Sequence, residues 1–274
     1  MTTEAGVKER LEKLLRELHL PTVRARYEEL SRQAERETLS YERFLLGLCE
    51  QESQARQARR ITRLLRASGL PLEKSLETFD LKRLPTKVAR QVQGLREGDF
   101  VDRKENLLAF GKPGSGKTHL LCGLAQELAR AGRRVCFTTC SLLVQSLLVA
   151  KRDLKLSRVL KRLGKFEVLL IDDLGYVQQS REEMEVLFTL LAERYERGSV
   201  WLTSNLPFSQ WEQIFRDPMT TAAAIDRLVH HAVILEFDGP SYRTDRSRKT
   251  SDSPAPGSSG RRRPPGPLVP RRRR

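Results

Sequence analysis

The sequence has few cysteines, no long apolar run, no internal repeat and a deficit of acidic charge. Each shortage removes a class of protein. Of 274 residues only Cys49, Cys122, Cys136 and Cys140 are cysteines, and none form a C-x-x-C pair. Cys136 and Cys140 are close in sequence, yet no second cysteine pair or histidine cluster completes a zinc site. Three of the four lie in apolar segments, so buried free thiols are expected. No stretch reaches the length of a membrane span, and Met1-Thr2-Thr3-Glu4-Ala5 lacks the apolar core of a signal peptide. The expected location is therefore cytoplasmic, with no membrane partner. The formal charge is +15, and from Thr244 to Arg274 ten Lys/Arg stand against Asp245 and Asp252, so that this stretch carries +8 of it. Such an excess favours a polyphosphate partner, nucleic acid, over solubility alone.

The chain divides by texture. Residues 1–70 read as a small helical domain. Leu11, Leu14, Leu15 and Leu18 recur at helical spacing, as do Phe44, Leu45 and Leu48 after Ser40, an N-cap candidate. From Gln54 to Arg66 the helical pattern carries Arg56, Arg59, Arg60, Arg63 and Arg66 with no acid, either a solvated face or a contact for an anionic partner. Residues 71–105 read as a connector with a helix from Thr86 to Leu95. From residue 106 to 246 strands and helices alternate. Strands are expected at Asn106–Phe110, Arg134–Thr138, Phe166–Ile171, Ser199–Thr203 and Val233–Phe237. That order predicts an α/β fold, a parallel sheet flanked by helices on both faces. Residues 247–274 are rich in Pro, Ser, Gly and Arg, cannot bury a core, and are expected to be a disordered basic tail.

The stretch Gly111-Lys112-Pro113-Gly114-Ser115-Gly116-Lys117-Thr118-His119 has the spacing of a phosphate-binding loop, between a strand and a helix as that mechanism requires. Glycines let successive N–H groups turn inward onto phosphate oxygens, and the following helix aims its positive end at the same point. Lys117 would reach the β- and γ-phosphates, and Thr118 would offer its hydroxyl to Mg²⁺. The ion needs a carboxylate at the end of a neighbouring strand, and "EVLLIDDLG" supplies Asp172 for the metal and Asp173 to polarise an attacking water. In "VWLTSNLP", Asn205 could touch the γ-phosphate and that water, or simply form the turn before Leu206-Pro207. In "TTAAAIDRLVHHA", Arg227 could reach a neighbour's γ-phosphate or be an ordinary surface arginine. His230 and His231 have no acidic or cysteine companion at ligand spacing, which speaks against a metal there.

Taken together, these pieces resemble the IstB family of ATP-dependent helper proteins of bacterial insertion sequences, AAA+ ATPases related to the DnaC helicase loader. The resemblance runs from about Leu11 to Arg243. It rests on "LSYERFLLGLCEQE", "ENLLAFGKPGSGKTHL", "FEVLLIDDLGYV", "LLAERYERGSVWLTSNLPFSQW" and "DPMTTAAAIDRLVHHAVILEFDGPSYR". It implies an AAA+ P-loop ATPase domain over 106–246. Lys117 and Thr118 would be the Walker A pair and Asp172 the Walker B acid. Asp173 would be the second acid, where many relatives carry Glu. Asn205 would be the first sensor, Arg227 the arginine finger and Arg243 a further nucleotide-sensing arginine. It also implies ATP and Mg²⁺ as cofactors, a homo-oligomer on double-stranded DNA, and a transposase partner. The tail beyond Arg246 departs from the family's usual ending near "SYR". A replicative helicase loader would use the same chemistry. A small-molecule kinase or GTPase fits less well, since no N-K-x-D guanine-reading motif is present.

Overall fold

The computed structural model describes residues 4–175, 180–211 and 218–237. Arg243 and the basic tail 247–274 lie outside the described residues. The first three helices are α1 (Glu4–Glu17), α2 (Pro21–Glu37) and α3 (Tyr41–Ser68). Ser40 caps α3 by accepting the N–H of Arg43, as its position before an apolar repeat predicts. Leu15, Val23 and Leu48 form a small core between these helices. None of the helices among the described residues is long and apolar enough to cross a membrane.

The arginine run on α3 is not unopposed, as the sequence led us to expect. Glu52, one turn upstream of Arg56 and outside the stretch 54–66, is 4% exposed. It accepts from Arg56 Nε at 2.9 Å and Arg59 Nη2 at 3.3 Å, and from the N–H groups of Thr22 at 2.7 Å and Val23 at 3.2 Å. Glu52 thus caps the start of α2 from another helix. Burial opposes its charge, but Arg56 and those two N–H groups outweigh it and hold the carboxyl at about 2, below the ordinary 4.5. Its stabilisation is complete above pH 4.5 and disappears as the pH falls through about 2. We expect Glu52→Ala to cost about 1–3 kcal/mol in urea unfolding at pH 7, because one buried and one half-buried donor lose their acceptor. That penalty should shrink as the pH approaches 2.

After α3 come α4 (Thr86–Leu95) and the short α5 (Asp99–Asp102). The segment expected as a connector is deeply packed. Leu76, Phe79, Val88, Val92, Leu95, Phe100 and Val101 all belong to one face of the sheet's core. Gln126, fully buried on α6 (Lys117–Arg130), donates to the carbonyls of Pro71, Leu72 and Lys74. Local composition did not reveal this, because the apolar residues here are spread over turns and short helices.

The sheet is five-stranded and parallel in the order β2-β3-β4-β1-β5. Its strands are β1 (Asn106–Gly111), β2 (Val135–Thr139), β3 (Val168–Leu174), β4 (Ser199–Ser204) and β5 (Ala232–Phe237). Side chains alternate between two cores, as the pleat dictates. Leu107, Ala109, Leu170 and Trp201 face α4 and α6. Leu108, Phe110, Leu169, Ile171 and Leu202 face the other side. There they meet α7 (Cys140–Arg152), α8 (Leu156–Leu163), α9 (Arg181–Arg194) and α10 (Pro218–Val229). Cys122 and Cys140 are buried free thiols, Cys136 is half-buried and Cys49 is exposed. Burial pushes the Cys122 thiol up to about 12, so it is inert.

Candidate phosphate-binding and catalytic site

All five strands run the same way, so β1, β3 and β4 deliver their last residues to one edge of the sheet. The loop after β1 turns on three glycines with positive φ: Gly111 at 150°, Gly114 at 78° and Gly116 at 96°. A Cβ on Gly111 would stand 2.5 Å from the carbonyl oxygen of Phe237, so no other residue fits there. The N–H of Ser115 returns to the carbonyl of Lys112 at 3.2 Å and closes the loop. Helix α6 then starts at Lys117, and the first N–H groups of a helix have no carbonyl behind them. Loop and helix start therefore form a cradle of donors with a positive end, suited to a polyphosphate.

Lys117 is buried, and its Nζ donates to the carbonyls of Gly111 at 2.6 Å and Lys112 at 2.9 Å. Its charge therefore lies inside the mouth of the loop. Thr118 Oγ1 donates to Asp172 Oδ1 at 2.7 Å. This pairs a hydroxyl with a 6%-exposed carboxylate. Such hard oxygen donors fit a magnesium ion, which prefers one or two carboxylates beside phosphate oxygens. His119 belongs to the same loop-helix junction, but its ring turns to the segment before α4. There Nε2 meets Ser75 O and Thr78 Oγ1, both at 3.0 Å. Only its backbone can face a phosphate.

The pairing of β3 with β4 slips between Ile171 and Leu174. The irregularity falls on Asp172 and Asp173, and Asp173 adopts φ 60°. A bulge re-aims a side chain beside a site, and aspartate tolerates the left-handed region better than most residues. Asp172 stays buried while Asp173 is exposed at the sheet edge. Thr203 joins them. Its hydroxyl donates to Asp172 Oδ1 and accepts the N–H of Asp173, the latter at 2.9 Å. Sequence reading missed Thr203. The available signal was a hydroxyl at the carboxyl end of the apolar strand "SVWLT", two residues before Asn205. Ser204 then bonds the carbonyls of Leu174 at 2.9 Å and Leu206 at 3.0 Å. This fixes the turn that carries the half-buried Asn205 at the same edge.

Arg227 is elsewhere. It lies in the last turn of α10, donates to Ala223 O at 3.0 Å and stands 4.6 Å over the ring of Phe188. The side chain of Asn106, which opens β1, donates to the carbonyls of Arg227 at 3.4 Å and Leu228 at 3.0 Å. Arg227 therefore flanks the start of β1, while the phosphate loop follows its end, about 16 Å away for six residues of strand. It is remote from the loop of its own chain.

A family model described as IstB-like ATP binding protein matches residues 13–250. An insertion-sequence ATP-binding protein of Sinorhizobium fredii is 43% identical over 235 residues, spanning 85% of this chain and 79% of that one. The IS21 ATP-binding protein of Pseudomonas aeruginosa is 39% identical over 242 residues, 87% and 90% of the two chains. Among solved structures, DnaI aligns with a TM-score of 0.51 at 25% identity over 61% of this chain and 94% of DnaI. The DnaC helicase loader aligns with a TM-score of 0.53 at 17% identity over 61% and 97%. The latter likeness is one of fold, that of the AAA+ P-loop ATPases. With the motif strings, the sheet order and near full-length relatives in agreement, the chain belongs to the IstB-like family of insertion-sequence ATP-binding proteins.

Proposed function

We propose that this protein is an ATPase that assembles on double-stranded DNA as an ATP-bound homo-oligomer and assists the transposase of its insertion sequence. The observation that carries this reading is the division of the site. The P-loop, Asp172, Asp173 and Asn205 lie at one edge of the sheet, and the candidate finger Arg227 lies at the other. A second copy placed head to tail would bring its Arg227 to the first copy's γ-phosphate, and a heterologous contact of that kind propagates into a ring or a helix. Magnesium, when bound, would supply charge neutralisation to the phosphates. Lys117 and the loop N–H groups hold and orient those phosphates. Thr118 and Asp172 hold the metal. Asp173 and Asn205 orient water in line with the γ-phosphate, and Asp173 takes its proton.

The DNA contact is supported by a face that sequence reading overlooked. Helix α8 packs Leu156, Val159, Leu160 and Leu163 against the second core. Its other side exposes Arg158, Lys161 and Arg162, with Lys155 and Lys165 at its ends. Among the described residues, Arg158, Lys161, Arg162 and Lys165 make no ion pair. Unpaired cations in a row suit a phosphate backbone. We expect Arg158→Glu with Arg162→Glu to weaken duplex binding and to flatten the salt dependence by about two units of log–log slope. Fluorescence anisotropy across a potassium chloride series measures both, and an unchanged slope would place the DNA on another surface.

The relatives' names and extent favour transposition over helicase loading, since the resemblance to DnaC concerns the fold. Electron microscopy with a non-hydrolysable ATP analogue and long duplex DNA tests the assembly directly. Filaments or rings that need both ligands are expected. Monomers at saturating nucleotide and DNA would refute the reading. Pull-down of the element's transposase in preference to a replicative helicase tests the partner.

A further inference from the structure

The two histidines that the sequence left without an acidic companion acquire one in the fold. Helix α9 ends at Arg194 and is followed by Tyr195 and Glu196, the latter with φ 56°. Helix α10 ends at Val229 and is followed by His230 and His231. Both turns are anchored at the amino end of the sheet. The N–H of Asn106 donates to His231 O at 2.6 Å, and the N–H of Gly198 donates to Arg194 O at 3.1 Å. One ligating atom from each of Glu196, His230 and His231 falls within 4.8 Å of the others, and all three residues are exposed.

We propose that Glu196, His230 and His231 bind one transition-metal dication of the zinc class. Two imidazoles and one carboxylate are the donor set of borderline metals, whereas magnesium prefers oxygen alone. Bonds of about 2.1 Å place donors near 3.4 Å apart around such an ion, and exposed side chains close the difference by rotation. The hydroxyl of Tyr195 lies 3.2 Å from His230 Nδ1. That contact fixes the ring and leaves Nε2 for the ion, as outer-shell partners of metal-bound histidines do. The negative ends of α9 and α10 both converge on the cluster and favour a cation there. Arg103, Lys104 and Arg227 line the adjoining cavity of about 230 Å³ with Glu196 and His231. Their charge moderates affinity without occupying the donors. The bound ion would clasp the turn after α9 to the turn after α10.

Titration of tag-free protein with Co²⁺, followed by visible absorption, tests the site. One equivalent should bind with the intense bands of low-coordinate cobalt, and Zn²⁺ should displace it. Because binding to the folded state stabilises it, Zn²⁺ should also raise Tm. His230→Ala and His231→Ala should each weaken binding at least ~10-fold, the lower range for loss of even an outer-shell partner. Glu196→Gln should change the cobalt spectrum. The chain has only two other histidines, His19 and His119, and Cys49→Ser removes the one exposed thiol. Binding that survives the His230→Ala/His231→Ala double variant, or that disappears with Cys49→Ser, would overturn the proposal. All of these residues are remote from the P-loop, so ATP binding by each variant reports that it is folded.

Discussion

Arg227→Ala is expected to lower kcat for DNA-stimulated ATP hydrolysis by roughly 10³-fold or more, the lower end of what an arginine supplied in trans contributes. ATP affinity should change little, because Arg227 flanks the start of β1 and the phosphate loop follows its end. Stopped-flow binding of a fluorescent ATP analogue and steady-state phosphate release separate the two quantities. The fold should survive. Arg227 is half-buried, its guanidinium bonds, among the described residues, only a carbonyl of its own helix, and its ring contact with Phe188 is modest. If kcat fell by less than tenfold, Arg227 would be an ordinary helix-end arginine, and the transition-state charge would have to be met by another cation.

The local parts of this site were legible in the sequence because each is a continuous string. An apolar run ending in two aspartates defines β3 and Asp172. Glycines at fixed spacing define the cradle. What local pattern did not supply was everything brought together across elements. Thr203 ties Asp172 to Asp173 from the next strand. Glu52 neutralises arginines of α3 and caps α2, two helices that pack side by side. Glu196 joins His230 and His231 across two helix ends 34 residues apart in sequence. Helix α8 escaped notice for a different reason. It spans only eight residues, crowded with basic side chains, although its leucines and valine recur at helical spacing and pack on the core. The packed segment 71–105 makes the same point. Its apolar residues follow no single period, so only the tertiary structure reveals that they cover α6.

Asp173→Asn should separate binding from hydrolysis. The substitution keeps size and keeps a residue that tolerates φ near 60°. The backbone N–H that bonds Thr203 is untouched. Under the proposed mechanism the substitution removes the negative oxygen that would accept a proton from water, and removal of a general base costs typically 10²–10⁴-fold in rate. ATP should bind normally, and the ATP-bound assembly on duplex DNA should persist for as long as hydrolysis is blocked. Mixing this variant with Arg227→Ala then tests which edge of which protomer does the chemistry. Each protein alone is nearly inactive. In a mixed oligomer, an Arg227→Ala protomer supplies an intact Asp173 and its Asp173→Asn neighbour supplies an intact Arg227. At equal amounts, random mixing leaves about one seam in four complete in a head-to-tail array. ATPase activity should rise well above that of either variant, towards a quarter of the unmodified protein's. Were Arg227 to act on its own chain's nucleotide, no seam could be repaired and the mixture would stay as inactive as its parts.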